Sequence, residues 1–178
     1  MTGMSERAGR YERSFPGMVG AMIVLVLVVV GFAVFRDAGR KDPVTSVEPV
    51  EYVRPARYAQ KQLDFPLLAP PQLPAGWIAT SVRYRAGDDP SWHLGMLTGD
   101  RRYVGVEQER KPGSDMVAEF VDQDATRGDD VTVDGAQWQT WTDSGDDTAL
   151  VRQTDAVTTV VVGAVPEQTL ASFIASGG

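Results

Sequence analysis

Apolar and polar positions follow three regimes along this chain. The first is an unbroken apolar run, FPGMVGAMIVLVLVVVGFAVF, residues 15–35, with no charged residue between Arg13 and Arg36, a gap of 22 residues. At about 1.5 Å per residue, a helix of that length covers the roughly 30 Å hydrocarbon layer of a bilayer. The run ends in Gly31-Phe32-Ala33-Val34-Phe35 and then Arg36, without the small-residue pattern of a signal-peptidase site. The chain also has no cysteine to carry a lipid. We therefore read residues 14–35 as a permanent transmembrane helix. A chain of 178 residues rarely surrounds so long a segment that is apolar on every face.

The second regime, residues 36–61, has no sustained apolar period and contains Pro43, Pro49 and Pro55, which reads as an extended stalk. Residues 65–77, FPLLAPPQLPAGW, are different: Leu67, Leu68 and Leu73 are spaced to dock on a domain that starts at about residue 62.

In the third regime, period-two alternation predicts strands in WIATSVRYR, SWHLGMLT and RYVGVEQE. On this reading Ile78, Thr80, Val82 and Tyr84 share one face, and Trp92, Leu94 and Met96 share another. GSDMVAEFVDQ then shifts to a helical period, with Ser114 as its cap and Met116, Val117, Phe120 and Val121 on one side. A loop, DATRGDD, precedes four further strands: VTV, AQWQTWT, TALVRQT and VTTVVVGAV. The last is apolar on both faces, which predicts a central place in the sheet. Pro166 opens a closing helix carrying Leu170, Phe173 and Ile174. The order βββαββββα predicts an α+β domain over 62–178, a mainly antiparallel sheet with two helices packed on one face.

Charge changes this picture in two ways. Arg7, Arg10 and Arg13 precede the apolar run and Arg36, Arg40 and Lys41 follow it; the short basic tail, residues 1–13, is placed in the cytoplasm and the long domain outside. Residues 36–61 carry six basic and four acidic residues, net +2, whereas residues 62–178 carry eight basic and eighteen acidic, net −10. An acidic domain repels nucleic acid, and no nucleic-acid partner is expected.

His93 is the only histidine, and no G-x-S-x-G elbow is present to place a serine beside it. It reads as a strand residue with a structural hydrogen bond. One histidine and no cysteine leave too few ligands for zinc. Asp122, Asp124, Asp129 and Asp130 do not fit a calcium loop, since the twelfth position counted from Asp122 is Val133. No catalytic residue, metal or cofactor is assigned, and the chain reads as non-enzymatic. The candidate surface is aromatic: Trp77, His93, Tyr103 and Trp141, opposite Trp92 and near Gly95 and Gly105. It forms either a shallow groove for a lipid, glycan or peptide, or, as we expect, a second small core closed by the Leu- and Pro-rich entry segment.

RSFPGMVGAMIVLVLVVV, LPAGW, WHLGMLT, DGAQWQTW and VVVGAVPEQTLASFIAS together resemble a family of actinobacterial single-pass membrane proteins that carry a domain of unknown function. The strand order is more distantly similar to the Mog1/PsbP-like fold. The resemblance implies a location in the cell envelope. The expected function is a membrane-anchored, extracytoplasmic accessory or protein-binding module with an envelope protein partner; the alternative is a small-ligand, lipid or glycan-binding domain.

Overall fold

A computed structural model describes residues 47–177. The expected cytoplasmic tail, the transmembrane helix over 14–35 and residues 36–46 lie outside the described residues. Among the described residues no helix is long and apolar enough to cross a membrane. They form one compact unit from Val47 onward.

The elements are α1 (Val53–Ala59), β1 (Ile78–Arg85), β2 (Ser91–Leu97), β3 (Tyr103–Glu109), α2 (Gly113–Phe120), β4 (Thr126–Val133), β5 (Ala136–Thr142), β6 (Thr148–Gln153), β7 (Thr158–Gly163) and α3 (Glu167–Gly177). All seven strands join one antiparallel sheet in the order β1-β2-β3-β7-β6-β5-β4. The fold is α+β. After three hairpin-connected strands, α2 carries the chain to the far edge, and β4 to β7 step back until β7 pairs with β3. β7 is therefore central, as its two apolar faces require, and every residue of Thr158–Gly163 is buried.

The two sheet faces have separate cores. On the first, Trp92, Leu94, Met96, Val104, Val106, Leu150 and Val161 meet Leu170, Phe173 and Ile174 of α3 together with Phe65 and Leu68 of the entry segment. Gln108, only 2 % exposed, ties that segment down: its Oε1 accepts from Leu68 N at 2.8 Å, and its Nε2 donates to Pro66 O at 3.1 Å and Thr159 Oγ1 at 2.9 Å. On the second face, Ala149, Val151, Val160 and Val162 meet Met116 and Val117 of α2. The helices thus lie on both faces, not one. A central strand with two apolar sides needs cover on each.

Further expectations are corrected. Part of the expected stalk belongs to the domain: α1 buries Tyr52, Ala56 and Ala59 in the first core, and the compact unit begins at Val47, ahead of residue 62. Among the described residues there are three helices, α1 standing ahead of the two expected over 62–178. Pro55 does not break α1 because it occupies the first turn, where backbone N–H groups have no intrahelical acceptor.

Only the first two residues of DATRGDD are loop, since Thr126–Val133 is one edge strand, polar because most of its side chains are exposed. An edge strand is held by a single ladder and can do without an apolar period. Finally, the pairing of β1 with β2 shifts between Ala79 and Ser81. This bulge at Thr80 inserts one residue and reverses the faces ahead of it, so Ala79 joins Val82 and Tyr84 on the side of Met96, Leu94 and Trp92, while Ile78 does not. Ser114 does not cap α2; Pro112 holds the cap position, and the Ser114 hydroxyl donates to Asp115 Oδ1.

Candidate functional site

The register of β1 against β2 decides what stands beside His93. Beyond the bulge the pairing is regular, so Ser81 pairs with Gly95 and falls on the second face next to His93, two positions before Gly95. On β3, Glu107 pairs with His93 and Gly105 with Gly95. Three adjacent strands thus present Ser81, His93 and Glu107 in a row. Ser81 Oγ is 2.8 Å from His93 Nε2, and His93 Nδ1 is 2.5 Å from Glu107 Oε1. His93 is 8 % exposed, and the side chain of Glu107 12 %. An ionised carboxylate only accepts, so in the neutral imidazole Nδ1 carries the proton and Nε2 accepts from the Ser81 hydroxyl.

Two glycines make room for this row. A Cβ on Gly95 would collide with Ser81 Oγ and come within 3.2 Å of the Tyr103 hydroxyl and 3.3 Å of His93 Nε2. A Cβ on Gly105 would meet the same Tyr103 hydroxyl at 2.9 Å and ring carbons at 3.1 and 3.3 Å. The Tyr103 ring therefore lies flat over Gly105, and its hydroxyl, the Ser81 hydroxyl and the His93 imidazole converge above Gly95. Partial burial, with the nearby Glu107 carboxylate adding to it and Arg83 opposing, pushes the Tyr103 phenol above its ordinary 10.0, so it stays a neutral donor.

Beside His93 a groove of about 400 Å³ is lined by Arg83, Arg85, Ser91, Glu107 and Glu119, among others. Its far wall is fixed by Lys111, whose ammonium bridges Glu109 at 2.8 Å and Glu119 of α2 at 2.6 Å. Those two bonds, that to Glu109 first, hold its proton well above the usual lysine range.

The aromatic surface expected from sequence is only partly assembled. His93 and Tyr103 stand together. Trp141 is on the same face but three strands away on β5, packed against the core under α2. Trp77 stacks on Phe173 of α3, with centroids 5.7 Å apart and planes at 4°, and belongs to the first core. The entry segment does not cover the second face; it lies on the first, held by Gln108. Tyr103 accordingly remains 45 % exposed.

Sequence reasoning missed Ser81 and Glu107. Glu107 is findable from the pairing of Gly95 with Gly105, each two residues from the partner in question. Ser81 is not, because alternation along β1 puts it on the face of Arg83 but only the register of β1 against β2, Ser81 opposite Gly95, sets it beside His93.

Chemically, the row has the order nucleophile, base and orienting acid. Acyl transfer also needs donors aimed at a developing oxyanion and a nucleophile that projects toward substrate. Here Ser81 Oγ lies down along the sheet over Gly95, and Tyr103 is the neighbouring hydroxyl. The arrangement presents a rigid set of donors and acceptors. Elsewhere, Asp143 Oδ1 accepts from Gly145 N and Asp147 N, both at 2.8 Å, which accounts for one acidic cluster as turn capping. Among the described residues no group of three or more potential metal ligands converges.

No curated protein and no solved structure matches the chain. Residues 10–176, nearly the whole length, match a family described as protein of unknown function, so this chain belongs to the DUF4245 family.

Proposed function

We propose that this chain is a single-pass, membrane-anchored module of the actinobacterial cell envelope, with its domain on the extracytoplasmic side, that recognises a protein partner and does not turn over a substrate. The apolar run over residues 14–35 and the basic tail before it support the anchor and its orientation. One observation carries the recognition reading: Tyr103, exposed, stands over the largely buried, hydrogen-bonded row of Ser81, His93 and Glu107 on three paired strands, on the half of the second face that α2 does not cover. Rigid strands present such a surface without an ordering cost on binding. Arg83 and Tyr103, both exposed beside it, offer the charge and aromatic ring that anchor protein interfaces.

The test is capture of the full-length protein in mild detergent after brief cross-linking in cells. A stoichiometric envelope protein that is lost with Tyr103→Ala and Arg83→Glu supports the reading. Recovery of the chain alone from every sample removes it.

A second reading, binding of a lipid or other small apolar ligand, rests on a different place. A cavity of about 360 Å³ on the first face is lined by Leu68, Val133, Trp138 and Ile174. Mass spectrometry of an organic extract of the same sample distinguishes the two.

A further inference from the structure

α1 has two unlike sides. Tyr52, Ala56, Ala59 and Leu63 face the core, while Arg54, Arg57, Tyr58 and Lys61, spaced i, i+3, i+4 and i+7, are exposed on the opposite side. Tyr58 is 59 % exposed, and its ring meets that of Tyr84 on β1 edge-on at 6.3 Å. β1 is an edge strand, and from its other side Arg83 and Arg85 extend, both exposed. Among the described residues, Arg57, Lys61, Arg83 and Arg85 have no ion pair, and Arg54 has only an exposed 4.0 Å contact with Glu51.

This concentration runs against the domain's charge. Residues 47–177 hold eleven Lys and Arg against twenty Asp and Glu, net −9. Four of the eleven cations sit on α1 and β1 and a fifth, Lys61, just past α1. Of the acids near them, Asp64, Glu107, Glu109 and Glu119 are already bound to Arg110, His93 and Lys111, which leaves Glu48, Glu51, Asp88 and Asp89. The acids Asp129 and Asp130 belong to β4, at the opposite edge. Six inter-strand steps of about 4.8 Å separate the two edges, roughly three screening lengths in physiological salt. A negative surface at the β1 edge therefore meets the unpaired local cations and senses little of the β4 acids.

We infer that the α1–β1 edge docks on anionic lipid head groups of the membrane that anchors the chain. This rests on the anchor reading above. The chain reaches α1 eighteen residues after Phe35, and Val50 N is already bound to Ala79 O of β1 at 2.8 Å, so the same edge that carries the cations receives the tether. Tyrosines are at home at the head-group level, and each Lys or Arg near an anionic surface strengthens association roughly fivefold.

The test uses full-length protein in lipid nanodiscs, made of phosphatidylcholine alone or with about one third phosphatidylglycerol. The chain has no cysteine, so Gln62→Cys, beside the patch, and Asp129→Cys, on the β4 edge, each accept a single environment-sensitive dye. We expect a blue shift and head-group quenching at position 62 only in anionic discs. Both should be lost in about 0.5 M salt and in the double variant Arg57→Glu, Lys61→Glu, whose side chains are exposed and whose fold is checked by tryptophan fluorescence. Position 129 should not respond. A response at 62 independent of lipid charge, or equal at 129, overturns the docking while leaving the anchor intact. A chain that never enters the discs overturns the anchor and the docking with it.

Discussion

Replacing Gly95 by alanine tests the assembly of the His93 site directly. The new Cβ would collide with Ser81 Oγ, and the next nearest atoms, the Tyr103 hydroxyl at 3.2 Å and His93 Nε2 at 3.3 Å, leave no slack on the other sides. Ser81 must move, and its bond to His93 goes with it. Inserting a methyl group into a packed site costs about 1–3 kcal/mol, and the lost hydrogen bond adds about 0.5–1.5. Gly95 has an ordinary φ, so alanine recovers about 0.4–1 kcal/mol by restricting the unfolded chain. The net expectation is a destabilisation of about 1–3 kcal/mol.

Ser81→Ala removes the colliding oxygen. On its own it should cost about 1 kcal/mol, and Gly95→Ala added to it should be nearly neutral. The signature is thus a coupling of about 1–2 kcal/mol between positions 81 and 95. Denaturant unfolding of the full-length protein in mild detergent reads it, since all four tryptophans lie in the domain. Gly95→Ala costing the same with and without Ser81, within about 0.5 kcal/mol, would refute the geometry.

Three other expectations follow from the same structure. A chain beginning at residue 62 loses Tyr52, Ala56 and Ala59 from the core and the Tyr52 hydroxyl bond to Pro70 O at 2.7 Å, and should be about 3–5 kcal/mol less stable than one beginning at residue 47; equal unfolding midpoints would show α1 to be peripheral. Ser81 should not react with a fluorophosphonate probe, and labelling that disappears in His93→Ala would overturn the non-enzymatic reading. Asp147 is held above its ordinary 3.8, by burial first and then by the Asp143 carboxylate. The folded state therefore keeps this proton more tightly than the unfolded one, and the group lowers stability as pH rises through and above 3.8. Asp147→Asn should stabilise by up to about 0.5 kcal/mol at pH 7 and by nothing near pH 3; a gain that is equal at both pH values would exclude the charge as its cause.

The sequence was most informative where one local period sufficed. The alternation through SWHLGMLT and RYVGVEQE, the apolar run of TTVVVG and the helical spacing of Leu170, Phe173 and Ile174 each specify an element and a buried side, because burying those faces is the dominant favourable term whatever the partner. Element order, antiparallel class and the central place of β7 followed from such patterns. α1 was illegible because its buried side consists of Tyr52 and two alanines, too little apolar volume to register as a period beside a proline. β4 was illegible because an edge strand with exposed side chains carries no alternation.

The site depended on tertiary structure more strongly still. The register of β1 on β2, Arg83 opposite His93 and Ser81 opposite Gly95, brings Ser81 to His93, while the residue inserted at Thr80 turns Ala79 instead of Ile78 toward the core. Which half of the second face stays open depends on α2 crossing over β6 and β7 and on Gln108 holding the entry segment to the first face. A local sequence encodes which residues must be buried. Strand register and the choice of face are settled between segments far apart in the chain, where a shift of one residue exchanges every side chain between core and surface.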